Sequence, residues 1–166
     1  MSTHLSRMLI IGLGNPLLSD DGVGWCVAEE LRALFAGEGQ NNQLYPVEID
    51  SLSGGGLSLM ERLVGYDRAI LIDAMQSGHP VGTVSVFPLE QLENPFAGHL
   101  GSTHETNLQT ALEIGRQLNA HLPQPGAISI VAVEAETIYD FSEQLSPPVA
   151  AAVPAAVQAV LTLIKD

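Results

Sequence analysis

The chain has 166 residues, 46% of them apolar and 15% charged, a folded-domain composition long enough for one core without disulfide or structural metal. Nineteen acidic residues stand against six Lys plus Arg, a formal net charge of −13. The bases Arg7, Arg32, Arg62, Arg68, Arg116 and Lys165 are scattered singly, which argues against nucleic acid or an anionic membrane as partner and favours a cation or a basic peptide.

The first predicted element is the unbroken apolar run 8–13 (Met-Leu-Ile-Ile-Gly-Leu), the pattern of a buried strand, which Gly14-Asn15-Pro16 stops. After a loop at 17–21, Val23, Val27, Leu31 and Leu34 recur at helical spacing and predict a helix over 22–36 with Gly37 as its cap. A second strand is expected at 44–49, closed by the turn Asp50-Ser51-Leu52-Ser53 and three glycines. A short helix at 57–64 precedes a third strand at 68–72. Gly78-His79-Pro80 turns the chain into the alternating stretch 82–87, expected as an antiparallel edge strand. Ser102-Thr103-His104-Glu105 has the form of a capping box, opening a helix that carries Leu108, Leu112, Ile114 and Leu118. A fifth strand at 127–133 leads to a loop holding Glu134 and Glu136, and an Ala-rich helix over 147–164 follows.

Strands alternating with helices, with no repeat and no linker, predict a single α/β domain over 1–166. The expected architecture is a three-layer sandwich: a twisted, mostly parallel sheet of about five strands, helices on both faces and one antiparallel edge strand. No apolar run approaches the roughly 18–20 residues of a membrane span. The polar start, 1–7, is not a signal peptide, and the lone Cys26 can make neither an internal disulfide nor a cysteine zinc site. A reduced, cytoplasmic setting is expected.

Open parallel sheets bind ligands at the carboxyl ends of their strands. There the sequence has Asp20 and Asp21, then Asp50, Asp73 and Glu134. Taken singly, Asp20 and Asp21 read as acids at a helix start and Asp50 as a turn cap. Asp73, at the edge of a central apolar strand, is desolvated unless a cation or hydrogen-bond donors meet it. His104 falls in the first turn of its predicted helix, where the positive dipole end favours the neutral, metal-binding imidazole. His4, His79, His99 and His121 read as surface residues. Two carboxylates and one imidazole form a mixed oxygen and nitrogen set suited to a borderline divalent ion such as nickel or zinc, with positions left open. Other signals fail: Leu17 stands where a dinucleotide fingerprint needs its third glycine, there is no phosphate loop, no His-Glu-x-x-His and no Gly-x-Ser-x-Gly, and Cys26 reads as packing.

The run from Gly12 to Gly24, Gly-Leu-Gly-Asn-Pro-Leu-Leu-Ser-Asp-Asp-Gly-Val-Gly, strongly resembles the opening signature of the [NiFe]-hydrogenase maturation endopeptidases. The likeness continues through Ile70-Leu71-Ile72-Asp73-Ala74 and Ser102-Thr103-His104, in the same order, over almost the whole chain. The resemblance implies an endopeptidase that removes the C-terminal extension of a [NiFe]-hydrogenase large-subunit precursor after nickel insertion. It implies Asp21, Asp73 and His104 as the catalytic and metal-engaging residues, with Asp50 and Ser53 binding substrate. Nickel would come with the substrate, and no organic cofactor would be needed. The large-subunit precursor is the implied partner, met by a monomeric enzyme. A metal-polarised carbonyl, an activated water and an Asp acting as base all remain open as the cutting step. The chain departs from the family in having Ser51-Leu52-Ser53 after Asp50, where x-Gly-Thr is frequent, and Ala135 where many relatives have proline. Two other readings are a nickel-binding chaperone that holds the large subunit without cutting it and, more remotely, a peptidyl-tRNA hydrolase. The latter shares the Gly-Leu-Gly-Asn-Pro opening but needs a histidine soon after it and a basic surface.

Overall fold

The apolar run at the start forms strand β1, Met8–Leu13, and all six of its residues are buried. In the computed structural model, which describes residues 5–37, 46–92 and 107–166, β1 is flanked by two parallel neighbours, β2 (Val47–Leu52) and β3 (Arg68–Met75). Strand β4 (Val84–Pro88) is the antiparallel edge and pairs with β5 (Ile128–Glu134), which lies parallel to β3. The order across the sheet is β2-β1-β3-β5-β4.

Pleating sends alternate residues to opposite faces. Met8 and Ile10 of β1, Ile70 and Ile72 of β3, and Val131 and Val133 of β5 pack with Val23, Val27 and Leu31 of helix α1 (Val23–Gly37) and Val153, Val157 and Val160 of helix α4 (Pro147–Lys165). Leu9, Ile11, Leu13, Leu71 and Ile130 fill the other face, under Leu59 and Leu63 of helix α2 (Gly56–Leu63) and Leu108 and Leu112 of helix α3 (Leu108–Gln117). A strand sandwiched this way has no polar face, which is why β1 reads as one apolar run. The three-layer sandwich with one antiparallel edge is therefore the fold.

Several boundaries move. Strands β2 and β3 run on to Leu52 and Met75, past Asp50 and Asp73, and β5 takes in Glu134 as its last residue. Leu34, Ile114 and Leu118 keep the helical period but are exposed, because α1 and α3 each bury a narrower stripe than their apolar content suggests. Gly37 is the last residue of α1 rather than a cap beyond it. Helix α3 is capped by Asn107, whose side chain accepts the Thr110 N–H at 2.9 Å. The expected capping box 102–105 and the start of the expected second strand, 44–45, lie outside the described residues. Helix α4, 19 residues with mean hydropathy 1.7, is long and apolar enough to cross a membrane, which corrects the expectation that no segment is. Here one side of it is packed on the sheet.

Candidate active site

The loop after β1 is shaped by backbone fit before any side chain acts. Gly14 has φ +122, and a Cβ there would lie 1.9 Å from the Asp21 carbonyl oxygen. A Cβ at Gly24 would lie 2.4 Å from the Leu13 carbonyl oxygen and 2.5 Å from that of Ile72. Only glycine lets the first turn of α1 sit this close to both β1 and β3. Between them, the Leu17 N–H donates to Asn15 Oδ1 at 3.0 Å and the Asn15 N–H donates to Asp21 Oδ2 at 2.8 Å. The chain then makes a 3-10 turn, Ser19–Gly22, that buries Asp20 and Asp21 at 0% and 4% exposure.

Asp73 lies within β3, opposite Ala132 of β5, and is 2% exposed. It lines a recess with Met75, Phe87, Leu92 and Ile130 on the side of the sheet that carries α2 and α3. The chain leaves β1 through α1 on one face, whereas β3 is entered through α2 on the other. The carboxyl ends of β1 and β3 are thus the point where the winding reverses, the place where open α/β sheets form their ligand crevice. Asp21 and Asp73 belong to those two strand ends. His104 lies outside the described residues.

The neighbouring acids do different work. Asp20 accepts hydrogen bonds from the backbone N–H groups of Glu136 (2.9 Å), Thr137 (3.1 Å) and Ser146 (2.7 Å) and from the Ser146 hydroxyl (2.8 Å). Its own N–H donates to the Thr137 carbonyl, and Ser19, Leu17 and Ser142 exchange further backbone bonds. Asp20 therefore clamps the loop after β1 to segment 135–146. Glu134 holds another loop, accepting from the N–H groups of Ser77 (2.7 Å) and Gly78 (2.9 Å) and the Ser77 hydroxyl (2.8 Å). Sequence reasoning had no signal for either role, since every partner lies far along the chain from its acid: 116, 117 and 126 residues for Asp20, and 56 and 57 for Glu134.

Asp50 is inside β2 rather than in a turn. Its carboxylate accepts from Arg62 Nε of α2 at 2.5 Å and from the Ser51 N–H at 2.8 Å. Burial pushes its pKa up, but the Arg62 hydrogen bond, the Ser51 amide and the charges of Arg62 and Arg32 outweigh this and hold it below the ordinary value. Next to it, Glu48 accepts from the Tyr66 hydroxyl (2.6 Å) and from Arg7 (2.9 Å), and those two bonds lower its pKa as well. Ser53 donates to the Gly14 carbonyl at 2.6 Å, tying β2 to the loop after β1. His79 and His121 are surface residues, bonded to Ser77 and Asp67; His4 and His99 lie outside the described residues. Cys26 is half buried against the core; burial, then Glu30 and Glu29, raise its pKa, which suits packing rather than nucleophilic attack.

A family model described as hydrogenase maturation protease matches residues 27–163. The chain belongs to the hydrogenase maturation protease family. It is 26% identical to the hydrogenase 2 maturation protease of Escherichia coli K12 over 163 residues, covering 96% of this chain and 92% of that protein. It is also 26% identical to the hydrogenase expression/formation protein HupD of Rhizobium leguminosarum, over 96% of this chain and 75% of the relative. Among solved structures, the [NiFe] hydrogenase maturation protease HybD of Thermococcus kodakarensis superposes with a TM-score of 0.66 at 26% identity, covering 95% of this chain and 99% of that one. The hydrogenase maturating endopeptidase HybD of Escherichia coli, at 24% identity over 96% of this chain and 92% of that one, shares the fold with a TM-score of 0.69.

This maturation protease is accordingly a hydrolase, and the chaperone and peptidyl-tRNA hydrolase readings are set aside. Its reversal point offers two buried carboxylates, Asp21 from the turn that follows β1 and Asp73 from the neighbouring strand β3. Anionic oxygens in such a setting are hard ligands for a divalent cation or proton acceptors for a bound water. The Asn15 N–H fixes the orientation of one of them.

Proposed function

We propose that this endopeptidase removes the C-terminal extension of a [NiFe]-hydrogenase large-subunit precursor once nickel has been inserted, with Asp21, Asp73 and His104 engaging the nickel carried by the substrate. The observation that carries the reading is the burial of Asp21 and Asp73 at the carboxyl ends of β1 and β3. A substrate-borne cation gives desolvated carboxylates the charge partner they favour, and carboxylate with imidazole suits a borderline metal. A precursor without nickel lacks that contact, so docking discriminates loaded from unloaded substrate. Asp50, on the same face of the sheet and partly exposed, would meet a basic group near the cleavage point by exchanging its Arg62 partner for it. In this reading the enzyme works as a monomer in the cytoplasm, with no organic cofactor.

The test is incubation of the purified chain with nickel-loaded and unloaded precursor, read by intact mass. Loss of the C-terminal peptide from loaded precursor alone is expected. Asp21→Asn, Asp73→Asn and His104→Ala should each lower the rate by about a hundredfold or more while leaving the protein folded. Equal cleavage of both precursors would overturn the nickel checkpoint, and full activity in the three variants would overturn the site.

A further inference from the structure

Segment 135–146 lies beside the loop after β1 and is pinned there from beneath by buried Asp20. Its outer side carries Tyr139 and Phe141 at 80% and 89% exposure, the two most exposed large apolar side chains among the described residues. Leu17, half exposed, stands on the adjoining loop, whose backbone is bonded to this segment: the Leu17 carbonyl accepts the Ser142 N–H at 3.0 Å. Leaving two aromatic rings in water gives up the burial that stabilises a fold; a single exposed apolar residue would need no explanation, but here two aromatic residues stand in one short segment whose backbone is tied at both ends to Asp20. The same segment holds Glu136, Asp140 and Glu143 and no Lys or Arg.

We propose that Tyr139, Phe141 and Leu17 form the platform on which the precursor docks, and that the segment seated there is apolar with interspersed Lys or Arg. This rests on the function proposed above, because a protease whose substrate is a protein must hold a length of chain outside the reacting bond. Three observations carry it. The platform is continuous with the loop that contains Asp21, so a chain lying on it leads into the reversal point. Its acidic residues complement a basic segment, and exposed aromatic faces take Lys and Arg by cation–π contact. The Asp20 clamp orders it in advance, so little entropy is lost on binding, and aromatic anchors of this kind dominate interface energetics.

The experiment uses a nickel-loaded large-subunit precursor that the wild-type chain shortens, and compares wild type with Tyr139→Ser/Phe141→Ser and with Asp140→Asn/Glu143→Gln. For the aromatic pair, KM should rise about tenfold or more and kcat should fall far less. For the acidic pair, KM should rise by a few fold at low salt and the difference should fade at about 0.5 M salt. Thermal melts of both variants should match wild type, since the residues are exposed. An unchanged KM in Tyr139→Ser/Phe141→Ser would overturn the platform while leaving the proposed function standing. Failure of the wild type to shorten any loaded precursor would overturn the proposed function itself, and the platform with it.

Discussion

Two groups of carboxylates divide the sheet between them. Along β2, Glu48 and Asp50 are partly exposed and answered by Arg7, Arg62 and Tyr66. At the carboxyl end, Asp20 and Glu134 are buried and answered by backbone N–H groups and serine hydroxyls. Arg32 bonds Glu29 and Ser51 and adds its charge to the β2 group, whereas Arg68 and Arg116 bond the Leu163 and Pro123 carbonyls. Amide dipoles hold a carboxylate in place without cancelling its charge, whereas a guanidinium does both. The β2 group is thus an electrically balanced patch, and the carboxyl end holds rigid negative charge that a cationic part of the substrate can meet.

The sharpest way to break this contrast is Asp20→Ala. It leaves three backbone N–H groups and the Ser146 hydroxyl without their acceptor, and a loss of about 3–5 kcal/mol is expected, seen as a fall of roughly 6–15 °C in the melting temperature. Asp20→Asn, which keeps one carbonyl acceptor, should lose less. Gly24→Ala forces α1 off Leu13 and Ile72 and should cost about 1–3 kcal/mol, measurable in a urea titration, with cleavage falling further than stability because Asp21 moves with the turn. On the other side of the comparison, Arg62→Ala should cost under about 1 kcal/mol at neutral pH, the usual worth of a solvent-facing ion pair.

The pH dependence sharpens the same point. The pKa values of Asp50 and Glu48 are lower in the folded chain than in the unfolded one, so their stabilising effect is present above the ordinary carboxylate range and is lost as pH falls through the lowered folded values. Melts of wild type and Arg62→Ala should therefore differ near neutral pH and converge as the solution is taken down below the ordinary carboxylate range. A gap that stays constant down through that range would mean that Arg62 contributes packing on Tyr66 rather than charge.

The fold was legible because its central strands, β1, β3 and β5, are buried on both faces. Met8–Leu13 matches its expected span residue for residue, and the edge strand was betrayed by its alternation. The carboxylates misled: Asp50 and Asp73 looked like strand ends because an acid in an apolar run suggests exposure, yet the backbone ladder continues through both. Asp21 and Asp73 could be nominated because strand order puts them at one end of the sheet. The Asp20 and Glu134 clamps could not, since each depends on where loops far along the chain come to rest. The exposed aromatics of 135–146 were equally silent, because a Tyr or Phe in an irregular stretch reads the same whether it is buried or not.

The Asp20 clamp also ties the first loop of the fold to a part of the chain made much later. Its hydrogen bonds reach Glu136, Thr137 and Ser146 across 116, 117 and 126 residues. Synthesis runs from the amino end, so a nascent chain that has emerged only as far as β3 already contains Asp21 and Asp73 but not the segment that locks their loop. The clamp therefore closes only after β5 and the segment that follows it have been made, so the first loop of the fold is fixed by one of the last parts of the chain to appear.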